Sequence, residues 1–317
     1  MPLVTSSYRA PAWLPGGHLQ TMVPALFRKV PRVTTRRERL ELPDGDFLDL
    51  DWAGEGSARL AILSHGLEAD SSAPYIQGMA RALRADGWDV LAWNFRGCGG
   101  EPNRLPRFYH SGSSDDLRHV IQHAMEVHPA ERIGLVGFSL GGNITLKYLG
   151  EAEVPPRVTR AVAFSVPCDL ACSSAELSRF SNRIYMERFL RSLRGKLRGK
   201  HPRFPQEILL EKLKGVRDFR GFDDRFTAPL HGFRDAEDYW ARSSSRPFLA
   251  AIRIPTLLVN AANDPFLGPG CYPWQEAEES GFFHLEVPAE GGHVGFASGG
   301  ETYGSETRAL EFLNGPA

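Results

Sequence analysis

Three residues far apart in the chain have the types needed for nucleophilic acyl transfer: Ser139, Asp264 and His293. A serine hydroxyl alone is a weak nucleophile. It needs an imidazole to take its proton and a carboxylate to hold that imidazole in one tautomer. Ser139 lies in Gly137-Phe138-Ser139-Leu140-Gly141, a G-x-S-x-G pattern that lifts the hydroxyl on a sharp strand-to-helix turn. Glycines flank it because a side chain there would clash. The same turn aims the start of the following helix, and the Leu140 N–H, at a developing oxyanion. Asp264 follows the apolar run 256–260, and His293 falls in Gly291-Gly292-His293 after the last apolar run. The chain order is therefore serine, acid, histidine, as this elbow requires. Taken singly, Asp264 could be an Asx-turn residue before Pro265 and His293 an ordinary loop histidine. Asp169 is the competing acid and ranks below Asp264. A second oxyanion donor is expected from the loop His65-Gly66-Leu67, which nominates the Leu67 N–H beside that of Leu140. His65 precedes the serine and is assigned a structural role.

These residues need a frame that brings loop ends together. From residue 37 onward, strand-like runs alternate with helical ones. Residues 38–42 and 47–52 flank Pro43-Asp44-Gly45 and predict an antiparallel hairpin. Unbroken apolar runs at 60–64, 90–95, 133–138, 161–166, 255–260 and 283–287 predict strands buried on both faces. Helical spacing at 75–84, 115–127, 140–149 and 306–313 supplies the covers. The expected fold is α/β: a mostly parallel, doubly wound sheet with active residues on loops at the carboxyl ends of strands. The alternation breaks after Cys168. Residues 1–168 and 248–317 are expected to form the core, and 169–247 an inserted helical lid whose aromatic and leucine content suits an apolar acyl pocket.

The chain of 317 residues balances 37 Lys and Arg against 38 Asp and Glu, a formal charge of −1, which argues against nucleic acid as a partner. Residues 179–203, however, hold nine basic side chains and one acid, Glu187, with apolar residues at helical spacing. Such a stretch could touch an anionic membrane weakly; a lid helix with a solvated basic face is the preferred reading. The four cysteines read as buried thiols, and His119 and His123, four apart, as surface or groove histidines rather than metal ligands. The sequon at Asn143 falls inside a helix expected to be buried. The first residues carry no basic-then-apolar leader, and no run of about 18 apolar residues occurs, so a cytoplasmic location is expected.

Several of these motifs together resemble the serine esterases of the α/β-hydrolase superfamily. More narrowly they are similar to its YheT-like branch, related to the ABHD esterases. The narrower likeness rests on Trp13-Leu14-Pro15-Gly16-Gly17-His18-Leu19-Gln20-Thr21, on Asn94-Phe95-Arg96-Gly97, and on GFSLGGN at 137–143. It also rests on the spacing of Gly232-Phe233, Asp238-Tyr239, Ser244, Pro255 and Asn263-Asp264. Trp240 departs from the pattern where a tyrosine-type aromatic is expected, which touches the lid and leaves the triad in place. The resemblance implies α/β-hydrolase architecture and cleavage of carboxylic esters, short- or medium-chain acyl esters or monoacylglycerols among them. It implies an acyl-enzyme on Ser139 and no cofactor or metal. Thioester or peptide hydrolysis, acyl transfer to an alcohol, and a non-catalytic ligand receptor are the competing expectations, since fold and triad do not fix the acceptor. No mechanism is assigned to Trp13 through Thr21: it could cover the entrance or tie an arm to the sheet.

Overall fold

The computed structural model describes residues 2–151 and 153–315. The strands are β1 (Leu3–Val4), β2 (Arg36–Glu41), β3 (Phe47–Ala53), β4 (Arg59–Ser64), β5 (Asp89–Asn94), β6 (Arg132–Phe138), β7 (Val158–Phe164), β8 (Thr256–Val259) and β9 (Phe283–Glu286): β2 and β3 form the expected hairpin, and β4 to β9 the expected apolar runs. They form one nine-stranded sheet in the order β1-β9-β8-β7-β6-β4-β5-β3-β2. The hairpin β2–β3 is antiparallel, turning where Gly45 takes φ 82°, and β3 also runs antiparallel to β5. The remaining pairings are parallel. The fold is therefore the mostly parallel α/β sheet expected from the runs, with the antiparallel hairpin at one edge.

Side chains alternate across the strands with period two. Leu60 and Ile62 of β4, with Leu91 and Trp93 of β5, join one apolar cluster; Ala61, Leu63, Val90 and Ala92 join another. Helices α1 (Gly16–Phe27), α2 (Pro74–Ala85), α3 (Ser114–Val127) and α4 (Leu140–Glu151) follow in chain order. The face of α2 made by Ile76, Met79, Ala80 and Leu83 fills the second cluster, while Leu117, Val120 and Ile121 of α3 and Ile144 of α4 fill the first. Burying apolar area at about 25 cal/mol per Å² is what holds both faces to the sheet.

Between β7 and β8 the chain leaves the sheet. It forms α5 (Leu170–Leu177), α6 (Arg183–Lys200), α7 (Phe219–Phe222), a π turn at Asp223–Thr227, α8 (Ala228–His231) and α9 (Ala236–Ser243). Leu190, Leu193, Leu197, Phe222 and Phe226 from this stretch belong to the same apolar cluster as the strands. The short α10 (Trp274–Glu278) and α11 (Gly304–Leu313) complete the chain.

Three features differ from the sequence reading. β1 is a two-residue strand beside β9, too short to show a period. β7 starts at Val158, because Arg160 breaks the apolar run yet lays its guanidinium over the Phe312 ring, 5.2 Å from the centroid. On α6 the buried stripe is Tyr185, Met186, Leu190, Leu193 and Leu197, while two apolar residues of the 179–203 stretch, Ile184 on α6 and Phe180 just before it, are exposed.

Candidate active site

β6 leads into Ser139 and α4 leaves from Leu140. Ser139 has φ 52°, a conformation that costs a non-glycine residue about 1–3 kcal/mol. Its N–H donates to the Phe164 carbonyl (2.8 Å), and its carbonyl accepts from the Asn143 N–H (3.0 Å). A Cβ on Gly137 would stand 2.6 Å from the Gly142 Cα, and one on Gly141 2.4 Å from the Ser64 and His65 oxygens. The turn is that tight on both sides of the serine.

Register does the gathering. Ser64 pairs with Gly137, Phe138 with Phe164, Phe164 with Val259, and Val259 with Glu286. The loops after β4, β6, β8 and β9 therefore leave the same edge of the sheet. His293 brings its Nε2 to 2.9 Å from Ser139 Oγ, and its Nδ1 to 2.9 and 3.1 Å from the two Asp264 oxygens. The Asp264 side chain is sealed from solvent. The Phe266 N–H donates to Asp264 Oδ1 (2.9 Å), and the Phe266 ring lies against the imidazole with centroids 4.1 Å apart. With Nδ1–H donating to the carboxylate, the Nε2 lone pair faces the serine hydroxyl. Asp169 is engaged elsewhere: it caps α5, where its Oδ1 accepts from the Cys172 N–H (3.0 Å).

His65 is enclosed, and burial pushes its pKa down to about 4, so it is neutral near pH 7. Its Nε2 accepts from the Phe95 N–H (3.1 Å), so Nδ1 carries the proton and donates to the Gly66 carbonyl (2.8 Å). The Gly66 N–H in turn donates to the Tyr75 hydroxyl (2.8 Å). Across a trans peptide the Gly66 C=O and the Leu67 N–H point in opposite directions. Pinning the carbonyl to His65 thus turns the Leu67 N–H away from it. Neither the Leu67 nor the Leu140 N–H donates to an acceptor among the described residues. Both residues line one cavity with Ser139 and His293.

Two cavities meet at Ser139. One is narrow, about 100 Å³, and reaches among α5, α6, α9 and the π turn, with Leu177, Phe189 and Phe222 in its walls. The other is a wider groove of about 450 Å³ between α1 and α6, bordered by Leu26, Ile184 and Arg188.

The basic stretch at 179–203 is less solvated than its composition implies. Lys196 turns inward to Glu68 Oε1 (2.8 Å), the residue after Leu67, which also accepts from Ser192 (2.5 Å) and Tyr109 (2.7 Å). Burial alone would raise the Glu68 carboxyl, but the Lys196 charge and these donors hold it below the usual range. Lys200 is buried with its ammonium on the carbonyls of Asn103 and Leu105. α6 is thereby fastened to the loop carrying Leu67. Of the histidine pair on α3, His123 meets Glu38 (2.6 Å); Asn143 is buried and bonds Ser111 and Ser243.

The segment with no assigned mechanism holds the histidine loop. Gln20, fully buried on α1, accepts from Asn263 Nδ2 (2.8 Å) and the Gly291 N–H (2.9 Å), and its amide donates to Leu14 O (2.8 Å) and Glu290 (3.3 Å). Thr21 Oγ1 accepts from the His293 N–H itself (2.8 Å). The signal in the sequence was a polar Gln-Thr pair inside an apolar helical stretch; its partners 240 and more residues away were not readable.

Residues 62–299 match the family model described as alpha/beta hydrolase fold. The chain is 37% identical over 289 residues to the YheT protein of Escherichia coli (strain K12), covering 89% of this chain and 84% of the relative. To phospholipase ABHD3 of Mus musculus it is 29% identical over 308 residues, 94% of this chain and 75% of the relative. The solved esterase Pf2001 of Pyrococcus furiosus superposes with a TM-score of 0.58 at 19% identity, over 90% of this chain and 98% of that one; at that identity the likeness speaks for the fold. The chain belongs to the esterase/lipase-type α/β-hydrolase family, in its YheT-like branch.

Proposed function

We propose that the protein hydrolyses carboxylic esters through an acyl-enzyme on Ser139. The observation that carries this reading is one imidazole, His293, bridging Ser139 Oγ (2.9 Å) and Asp264 (2.9 Å) at the meeting point of two cavities. Ser139 Oγ attacks the ester carbonyl as His293 Nε2 takes its proton. The carbonyl oxygen, now negative, is received by the Leu67 and Leu140 N–H groups. A donor of this kind contributes about 3–4 kcal/mol to the transition state. The tetrahedral species collapses, the C–O bond to the alcohol breaks, and the imidazolium returns its proton to the leaving oxygen. Water then repeats the sequence on the acyl-serine. Asp264 keeps the tautomer and steadies the imidazolium.

The narrow cavity suits a short- or medium-chain acyl group, and the wider groove the alcohol portion. The likeness to a phospholipase supports ester substrates of lipid type. The experiment is labelling with a fluorophosphonate probe followed by p-nitrophenyl esters of graded length. Labelling lost in Ser139→Ala, with turnover falling about 10⁴-fold or more, is the expected result. No labelling of the wild type, or full activity in Ser139→Ala, overturns it.

A further inference from the structure

The narrow cavity is not a plain hydrocarbon slot. Facing its apolar walls is a polar patch built from His110, Ser111, Asp223, Thr227, Tyr239 and Trp240. The Gly112 N–H donates to His110 Nδ1 (3.1 Å), which leaves the proton on Nε2. That Nε2–H has no acceptor among the described residues, and the half-buried His110 lines the cavity. Burial, and then the neighbouring His231, hold its pKa well below the usual value, so it offers a neutral N–H. In the same set of wall residues, Asp223 accepts from Thr227 Oγ1 (2.6 Å) and Trp240 Nε1 (2.9 Å), and no Lys or Arg among the described residues lines the cavity. Tyr239 donates to Ser111 Oγ (2.9 Å) and accepts from the Ser111 N–H (3.0 Å).

Asp223 and Thr227 bound a π turn, closed by the Ala228 N–H on the Asp223 carbonyl, inside an otherwise helical run. Such turns cost helix geometry and occur often where a side chain must be aimed. Ser111 is tied through Asn143 to α4, four residues past Ser139, so the patch lies within reach of the early carbons of an acyl chain.

A saturated chain entering here would leave the His110 N–H buried without an acceptor, which costs about 1–3 kcal/mol. An anionic group would enter a low-dielectric site without a counter-ion, and a cationic one would have to displace the Thr227 and Trp240 hydrogen bonds that already occupy both Asp223 oxygens. A neutral oxygen meets neither penalty. We propose that this patch is a specificity site for a neutral oxygen function, a hydroxyl or keto group, on the acyl chain of the substrate; this rests on the ester-hydrolase reading above.

The test uses matched p-nitrophenyl esters: butanoate against 3-hydroxybutanoate, and pentanoate against 4-oxopentanoate, each kcat/KM divided by its alkaline hydrolysis rate. The oxygenated member of at least one pair is expected to be favoured about tenfold or more, the range of one satisfied buried donor. His110→Phe and the shape-conserving Asp223→Asn are expected to bring that ratio towards one; the second serves if the first does not fold. A ratio of one or less in both pairs, or a ratio unchanged in a folded variant, overturns the site while the hydrolase reading stands. Absence of turnover of every ester, with no fluorophosphonate labelling, overturns the hydrolase reading and this site with it.

Discussion

Among the described residues, five other than glycine have positive φ: Glu68, Ser139, Ser165, Val294 and Phe296. They follow β4, β6, β7 and β9, and two of them flank or are the residues that meet at the serine. Val294 is β-branched, for which this conformation is a strained exception; its N–H is held by Ser165 Oγ (2.8 Å). Strain concentrated here fits a site whose parts are aimed in advance, so small changes should cost much. Asp264→Asn keeps the shape but removes the charge that selects the His293 tautomer. We expect kcat to fall about 10⁴-fold with the melting temperature little changed, measured by steady-state kinetics and thermal scanning. A loss below tenfold would mean that Asp264 does not orient the imidazole.

At the level of elements, α1 acts as a brace for the loop that follows β9. Thr21→Val removes the oxygen that accepts the His293 N–H and is isosteric otherwise. It should lower kcat about tenfold or more while KM moves little, because the imidazole is displaced and the cavities are not. Equal kcat in wild type and variant would assign Thr21 to packing alone. The π turn offers a second check, through pH. Burial raises the Asp223 carboxyl to about 7, with Asp224 and Asp218 adding to it, against the hydrogen bonds from Thr227 and Trp240. The unfolded chain loses that proton near pH 4, so the folded state binds more protons between about 4 and 7 and loses stability as pH rises through that window. Asp223→Asn cannot ionise. Its melting temperature relative to wild type should therefore climb from pH 4 to pH 7 and level off above; a flat difference would contradict the assignment.

For the whole molecule, the buried Arg96 joins parts that the sheet alone does not. Its guanidinium takes both Asp116 oxygens of α3 (2.7 and 2.9 Å) and reaches Asp44 (2.6 Å) and Asp46 (3.3 Å) in the β2–β3 turn. Arg96→Met would strand the nearly sealed Asp116 carboxylate, both of whose oxygens bond Arg96, and would take the cation from Asp46, which keeps donors from Phe47, Asn103 and Arg104. The expected loss is about 3–5 kcal/mol of unfolding free energy, seen as a lower urea midpoint. An unchanged midpoint would show that the network contributes nothing net.

The sequence by itself determined the sheet, the elbow and the chain order of Ser139, Asp264 and His293, because those rest on local signals: apolar runs, glycines that a tight turn requires, and loop positions after strands. It nominated the Leu67 and Leu140 N–H groups by the same route. It left Gln20 and Thr21 unexplained, spread the basic residues of 179–203 over a solvated face, and read the lid pocket as apolar. Each of those turns on a partner distant in sequence: Thr21 meets His293, Lys196 meets Glu68, and His110 meets the wall built from Asp223 and Tyr239. Polar side chains have no periodic signature, since a single partner satisfies them wherever the chain supplies it. Which partner that is was settled only when the tertiary structure brought the carboxyl ends of the strands, α1 and the π turn together around Ser139.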